Sequence, residues 1–163
     1  KFESEKNVGT TFMVQLPFLI STDMKQVEGQ EDDVSIEGMR ILLAEDNELN
    51  MEIAEFLLTN AGAEIIRTSN GKEAVEAFAK SGVGEVNVIL MDIMMPVMDG
   101  LEATREIRTM NRSDASAVVI IAMTANAFTE DKTKALKSGM DDYLTKPLES
   151  EKLIRALSRY KHN

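Results

Sequence analysis

Side chains able to do chemistry stand where the apolar runs of this chain stop. The run Val86-Asn87-Val88-Ile89-Leu90-Met91 ends at Asp92, and Pro96 and Gly100 then force a loop. An earlier run, Arg40-Ile41-Leu42-Leu43-Ala44, ends at Glu45 and Asp46, with Asn47 next. A third, Val118-Val119-Ile120-Ile121-Ala122, closes on Met123-Thr124-Ala125-Asn126, and the short Tyr143-Leu144 is followed by Lys146-Pro147. Brought together, three carboxylates repel one another unless a positive charge joins them. A hard divalent cation such as Mg²⁺ is the natural partner, taking carboxylate, water and phosphate oxygens. Lys146 adds a compact mobile charge and Thr124 a hydroxyl donor, both suited to phosphoryl oxygens. Such a set matches the charge spread over a transferring phosphoryl group, with an Asp carboxylate as nucleophile.

Taken singly, each residue also has an ordinary reading. Asp92 could cap the next helix, and Glu45-Asp46-Asn47 could be an N-cap cluster favouring a helix dipole. Thr124 alone is a strand-end hydroxyl and Lys146 alone a surface lysine. Met94, Met95 and Met98 read as adaptable core filler, because hard cations prefer oxygen. The combination, in this order and at these strand ends, is what argues for a site.

The elements that must position these groups are legible as a pattern. Short apolar runs at 39–44, 63–68, 86–91, 117–123 and 143–144 predict strands, several without alternation, as parallel strands covered on both faces require. Helical patterns lie between them at 48–60, 71–81, 100–110, 130–138 and 149–160. Gly62 and Gly139 fall just past two of these, and Asn70 with Glu73 and Asp99 with Glu102 fit capping boxes. Five repeats of strand then helix imply an α/β domain, a doubly wound parallel sheet with helices on both faces. Ligands in such sheets bind beyond the carboxyl ends of the strands, where all five side chains would converge.

Two further regions precede this domain. Phe12, Val14, Leu16 and Phe18 alternate as in a half-buried strand, which Pro17 confines to an edge or an end. One strand cannot bury its apolar face alone, so the piece reads as cut from a neighbouring domain. A polar, acidic stretch follows and reads as a linker. The organisation expected is 1–18 as that remnant, 19–37 as linker and 38–163 as the main domain. The chain opens at Lys1 without methionine, which points to a piece of a longer protein.

Composition excludes several classes. At 163 residues, 44% hydrophobic and 28% charged, the chain can bury a sizeable core. No apolar stretch approaches the roughly 20 residues of a membrane helix. A net charge of -10 argues against non-specific nucleic-acid binding. The absence of cysteine removes disulfides and thiol chemistry and fits a cytoplasmic setting. His162, the sole histidine, lies in a polar tail and is a poor candidate for catalysis or phosphate carriage.

The segment from about Met39 to Tyr160 resembles the receiver domain of two-component response regulators. The matching pieces are Leu42-Leu43-Ala44-Glu45-Asp46-Asn47, Met91-Asp92-Ile93-Met94-Met95-Pro96-Val97-Met98-Asp99-Gly100, Ala122-Met123-Thr124-Ala125 and Asp142-Tyr143-Leu144-Thr145-Lys146-Pro147. The resemblance implies a flavodoxin-like sheet of strand order 2-1-3-4-5 with Asp92 as phosphoacceptor. It implies Mg²⁺ held by Asp46, Asp92 and the backbone carbonyl of Met94, with Glu45 acting through water. Thr124 would be the switch hydroxyl, Tyr143 the switch aromatic and Lys146 the phosphate-binding lysine. The phosphoryl donor would be a phosphohistidine, on a kinase dimerisation domain or a histidine phosphotransfer domain. Residues 3–18 are similar to the last strands of a histidine-kinase ATP-binding domain, implying a hybrid sensor kinase as parent. This chain lacks the phosphorylated histidine and nearly all of the ATP site, so kinase activity is not expected of it alone; the parent could be membrane-anchored.

Rival readings differ in testable ways. A phosphatase working through an aspartyl phosphate would want an acid two residues after the nucleophile, where Met94 stands. A docking module independent of phosphorylation has no use for the full acidic set with Thr124 and Lys146. A nucleotide-binding sheet would carry a glycine-rich phosphate loop after its first strand, and this one does not.

Overall fold

Alternation of side chains across each strand sends neighbouring apolar residues to opposite faces, and here both faces are covered. A computed structural model of the chain describes residues 2–5, 9–12, 34–125 and 129–161. The main unit contains β3 (Arg40–Ala44), α1 (Glu48–Asn60), β4 (Glu64–Thr68), α2 (Gly71–Lys80), β5 (Val88–Asp92), α3 (Gly100–Thr109), β6 (Val119–Thr124), α4 (Thr129–Ser138), β7 (Asp142–Thr145) and α5 (Ser150–Ser158). All five strands are parallel, in the order β4-β3-β5-β6-β7. Counted from β3 this is 2-1-3-4-5, the flavodoxin-like doubly wound arrangement expected.

Leu42, Ala44, Ile89, Met91, Ile120 and Ala122 pack with Ala74, Phe78, Ala103 and Ile107 of α2 and α3. Their neighbours Ile41, Leu43, Val88, Leu90, Ile121 and Met123 pack on the other side with Met51, Leu58, Leu153 and Leu157 of α1 and α5. Burial on two faces explains why the strands lack polar alternation. Each buried aliphatic side chain contributes roughly 1.5–3 kcal/mol to this core.

Helix starts follow the capping residues. The Asn47, Asn70 and Asp99 side chains accept hydrogen bonds from the backbone N–H groups of Asn50, Glu73 and Glu102 at 3.1, 2.9 and 2.7 Å. Gly62 and Gly139, with φ of 87° and 102°, supply the left-handed turn that ends α1 and α4.

A separate unit, Lys1–Glu31, contains β1 (Phe2–Glu5) paired antiparallel with β2 (Gly9–Phe12). The alternating positions Val14, Leu16 and Phe18, Pro17, residues 19–33 of the acidic stretch, Asn126 and His162 lie outside the described residues. Ile36, within the stretch read as linker, is fully buried in the core of the main unit, which begins at Asp32.

Two inward-turned arginines lock the far end of the sheet. The Arg108 guanidinium donates to the carbonyls of Ala115, Val118 and Gly139 at 2.9, 2.7 and 2.9 Å and to Asp141 at 2.8 Å. Arg112 grips Asp114 through both oxygens at 2.6 and 2.8 Å, donates to the Phe78 carbonyl and lies 4.1 Å over the Phe78 ring. That hydrogen bonding from Arg112, helped by the Gly84 N–H and opposed by burial, holds the Asp114 carboxyl down at about 2. A depressed folded-state pKa stabilises above the unfolded value near 3.8 and loses that contribution as pH falls through about 2. Asp114→Asn is therefore expected to lower stability by about 1–2 kcal/mol at neutral pH. Melts taken from pH 5 to pH 2 should show the variant losing less stability over that interval than the wild type.

Candidate functional site

The parallel sheet delivers its strand ends to one edge, and the predicted side chains meet there. Asp92 is the last residue of β5, the central strand, and is only 6% exposed. Glu45 follows β3 and is also buried, while Asp46 is exposed at the mouth. Carboxylate oxygens of Glu45, Asp46 and Asp92 lie within 4.8 Å of one another. From the loop after β7, the Lys146 ammonium reaches between two of them, 2.6 Å from Glu45 Oε2 and 2.7 Å from Asp92 Oδ2. Thr124, buried at the end of β6, accepts the backbone N–H of Lys146 on its carbonyl at 2.8 Å.

Electrostatics follow from this burial. Desolvation raises the Asp92 pKa above its ordinary value, and the neighbouring Glu45 adds to it. The hydrogen bond and charge of Lys146, with the Met94 N–H, pull the other way without cancelling it. Burial pulls the Lys146 ammonium down, but hydrogen bonds and charges from Asp92 and Glu45 outweigh this and its pKa is raised. Lys146 thus stays protonated as the countercharge of the pocket.

The donor set suits a hard divalent cation: three carboxylates, no softer ligand among them, and an exposed side at Asp46 for water. The backbone N–H of Met94 bonds Asp92 Oδ1 at 3.3 Å, which keeps the Met94 peptide beside the pocket, while its side chain projects into solvent. Tyr143, on β7, is half-buried, with the Lys132 ammonium 3.2 Å from its hydroxyl and 4.5 Å over its ring.

The fold brings in other participants that the strand-end pattern does not name. Asn50 Nδ2 donates to Glu45 Oε1 at 2.9 Å and orients it. Ile53, Pro147 and Leu148 line the cleft with Glu45, Asn50 and Lys146. Asn50 and Ile53 follow the acidic pair by about one and two helical turns, which is the signal a sequence offers for them. Gly100 opens α3 against the backbone of Asp92, so closely that a Cβ there would sit 2.1 Å from the Asp92 carbonyl oxygen.

A doubly wound sheet of order 2-1-3-4-5 with an acidic, lysine-countered pocket at its carboxyl edge defines a flavodoxin-like domain with a candidate divalent-cation site. The family model of the response regulator receiver domain matches residues 41–158, and the chain belongs to that family. It serves as a phosphoacceptor domain in two-component signal transduction. Hybrid signal transduction histidine kinase I of Dictyostelium discoideum is 40% identical over 121 residues, covering 73% of this chain but only 7% of the kinase. The chain thus spans a small part of the curated relatives it matches. The receiver domain of sensor histidine kinase PA1611 from Pseudomonas aeruginosa PAO1 is 39% identical, with a TM-score of 0.70 over 77% of this chain and 99% of that one. That structure has a magnesium ion coordinated in its active-site cleft. The Ssk1 receiver domain of Saccharomyces cerevisiae, solved with the histidine phosphotransfer protein Ypd1, is 31% identical, with a TM-score of 0.68 over 77% of this chain and 90% of that one. Among the described residues, no helix is long and apolar enough to cross a membrane.

Proposed function

We propose that Asp92 accepts a phosphoryl group from a phosphohistidine on a kinase dimerisation domain or a histidine phosphotransfer domain. The observation that carries this reading is the Lys146 ammonium seated between Glu45 and Asp92 in a buried pocket at the sheet edge. An ionised Asp92 oxygen attacks phosphorus; the new P–O bond forms as the P–N bond to the imidazole breaks, and the leaving imidazole takes a proton from solvent. Lys146 passes from the carboxylate to one phosphoryl oxygen, and the Thr124 hydroxyl donates to a second. Asp46, Asp92, the Met94 carbonyl and, through water, Glu45 would hold Mg²⁺, which when bound supplies positive charge to the phosphoryl oxygens.

The product carries roughly -1.5 to -2 charges where Asp92 carried one. Thr124 follows the new oxygens, and Tyr143 leaves its contact with Lys132 and turns inward, biasing the surface around α4 and β7. The parent is a cytoplasmic or membrane-anchored hybrid histidine kinase, with 1–18 from its ATP-binding domain, 19–37 as a linker whose Ile36 is anchored in the receiver core, and 38–163 as receiver. The chain by itself has no kinase activity in this reading.

Incubation with a phosphorylated histidine protein and Mg²⁺ should label the wild type on Asp92, located by borohydride reduction and peptide mass. Asp92→Asn should remain at background. Equal labelling of the variant sinks the assignment, and rapid release of phosphate from a simple monoester would favour a phosphatase instead.

A further inference from the structure

The carboxylates of the pocket are held in different ways. Lys146 takes Oδ2 of Asp92 and Oε2 of Glu45 at 2.7 and 2.6 Å, and the Met94 N–H takes Oδ1 of Asp92. The remaining Glu45 oxygen, Oε1, accepts from Nδ2 of Asn50 at 2.9 Å. Among the described residues, Glu45 is thus the one carboxylate of the three with a side-chain donor on each oxygen. It is 3% exposed, so neither oxygen has ready access to water as a substitute.

Asn50 departs from the rule that its position follows elsewhere in the fold. It is the third residue of α1, three after the N-cap Asn47. The same position is Glu73 in α2 and Glu102 in α3. Glu73 reaches back to accept from the Ser69 N–H and from the Asn70 amide at 2.8 Å each, closing a capping box. Glutamate there favours the helix, as the better helix former and as a negative charge near the positive end of the dipole. α1 forgoes that gain. The Asn47 side chain accepts from the Asn50 backbone N–H at 3.1 Å, which fixes the residue, and the Asn50 amide then reaches back five residues to Glu45. A glutamate at position 50 would instead set a fourth carboxylate against the pocket. A residue that breaks a local rule beside a functional pocket answers a requirement of the pocket.

Divalent ions differ in what they ask of a carboxylate placed like Glu45. Mg²⁺ keeps several of its waters in a strict octahedron, so a fixed carboxylate facing bound water suits it. Ca²⁺ takes roughly six to eight oxygens in a looser shell and accepts a carboxylate through both of its oxygens. With Oε1 held by Asn50 and Oε2 by Lys146, Glu45 cannot turn both oxygens on an ion without giving up a hydrogen bond. Released from Asn50, it could swing toward the ion and favour the larger one.

We propose that Asn50 is a positioning residue that acts through Glu45, fixing that carboxylate so that the pocket prefers Mg²⁺ to Ca²⁺. This role rests on Asp46 and Asp92 being the direct ligands of Mg²⁺ and on Glu45 acting through water.

The test is calorimetric titration of the whole chain with Mg²⁺ and, separately, with Ca²⁺, for the wild type, Asn50→Ala, Glu45→Ala and the double variant. Asn50→Ala should bind Mg²⁺ about tenfold or more weakly, the usual loss when a group that orients a metal-binding side chain is removed. Its Ca²⁺ affinity should stay at the wild-type value or rise, so the preference for Mg²⁺ falls by at least the same factor. Melting in EDTA should show no loss of metal-free stability, since position 50 is exposed and alanine is the better helix former. In the Glu45→Ala background, Asn50→Ala should change neither affinity, because the group it acts through is gone. Wild-type Mg²⁺ affinity in Asn50→Ala overturns the role, as does an equal loss for both ions or a loss that persists without Glu45. A wild type that binds no Mg²⁺ removes the metal reading on which the role stands.

Discussion

Lys146→Met is expected to bind Mg²⁺ more tightly than the wild type and yet to accept phosphate at least about 100-fold more slowly. The opposite signs come from one geometry. The ammonium lies 2.6 Å from Glu45 and 2.7 Å from Asp92, where it competes with a divalent ion for the same oxygens. Its removal leaves three carboxylates within 4.8 Å of one another with no countercharge, and a unit charge near 4 Å is worth about 1–4 kcal/mol across the range from water to a protein surface. A tenfold or greater gain in Mg²⁺ affinity follows. The same deletion removes the donor that would receive a phosphoryl oxygen, and methionine keeps the aliphatic stem without the charge. Calorimetric titration with Mg²⁺ and stopped-flow labelling by phosphoramidate separate the two effects. A fall in both affinity and rate would mean that Lys146 orders the carboxylates instead of opposing the metal.

Gly100→Ala is expected to cost about 3 kcal/mol or more, although alanine is the better helix former by about 1 kcal/mol. The added Cβ would meet the Asp92 carbonyl oxygen at 2.1 Å and Met91 Cγ at 2.8 Å. Neither can retreat easily, because β5 is bonded to β3 on one side and β6 on the other. α3 must shift or the end of β5 must bend, and either moves Asp92 away from Lys146. Urea denaturation should show the lost stability, and labelling by phosphoramidate should slow in the protein that remains folded. Gly84→Ala is the control: its φ is 74°, but nothing lies within 4 Å of a Cβ there, so only backbone strain of about 1 kcal/mol is at stake.

Gly100 also shows where sequence reasoning stops. Read along the chain it breaks the loop after Asp92; in the fold its value is the absence of a side chain at a helix–strand contact, which no local pattern encodes. Asp92, Glu45, Thr124 and Lys146 were legible because strand ends can be read from apolar runs and a parallel sheet gathers them on one edge. The caps at Asn70 and Asp99 were legible because their chemistry is local. Arg108 and Arg112 were not, since a charged residue near the end of a helix reads as solvated until the carbonyls it satisfies are brought round from distant loops. Val97 gave no signal at all; a valine between Pro96 and Met98 looks ordinary until its φ of 70° is known. Periodicity does not reveal the strand Phe2–Glu5 that pairs with Gly9–Phe12, because Phe2-Glu3-Ser4-Glu5 is too short and polar to carry a period; strands in this region are expected from the resemblance and from the alternation at 12–18.

The hydrogen bond from the Lys146 N–H to the Thr124 carbonyl has a consequence for the tempo of signalling. The hydroxyl and the ammonium that would grasp opposite sides of a phosphoryl group belong to residues clasped to each other through their backbones. Neither main chain can travel far without carrying the other. If the two residues grip the phosphoryl group as proposed, they are expected to respond together, and relaxation measurements on Thr124 and Lys146 should return one common rate.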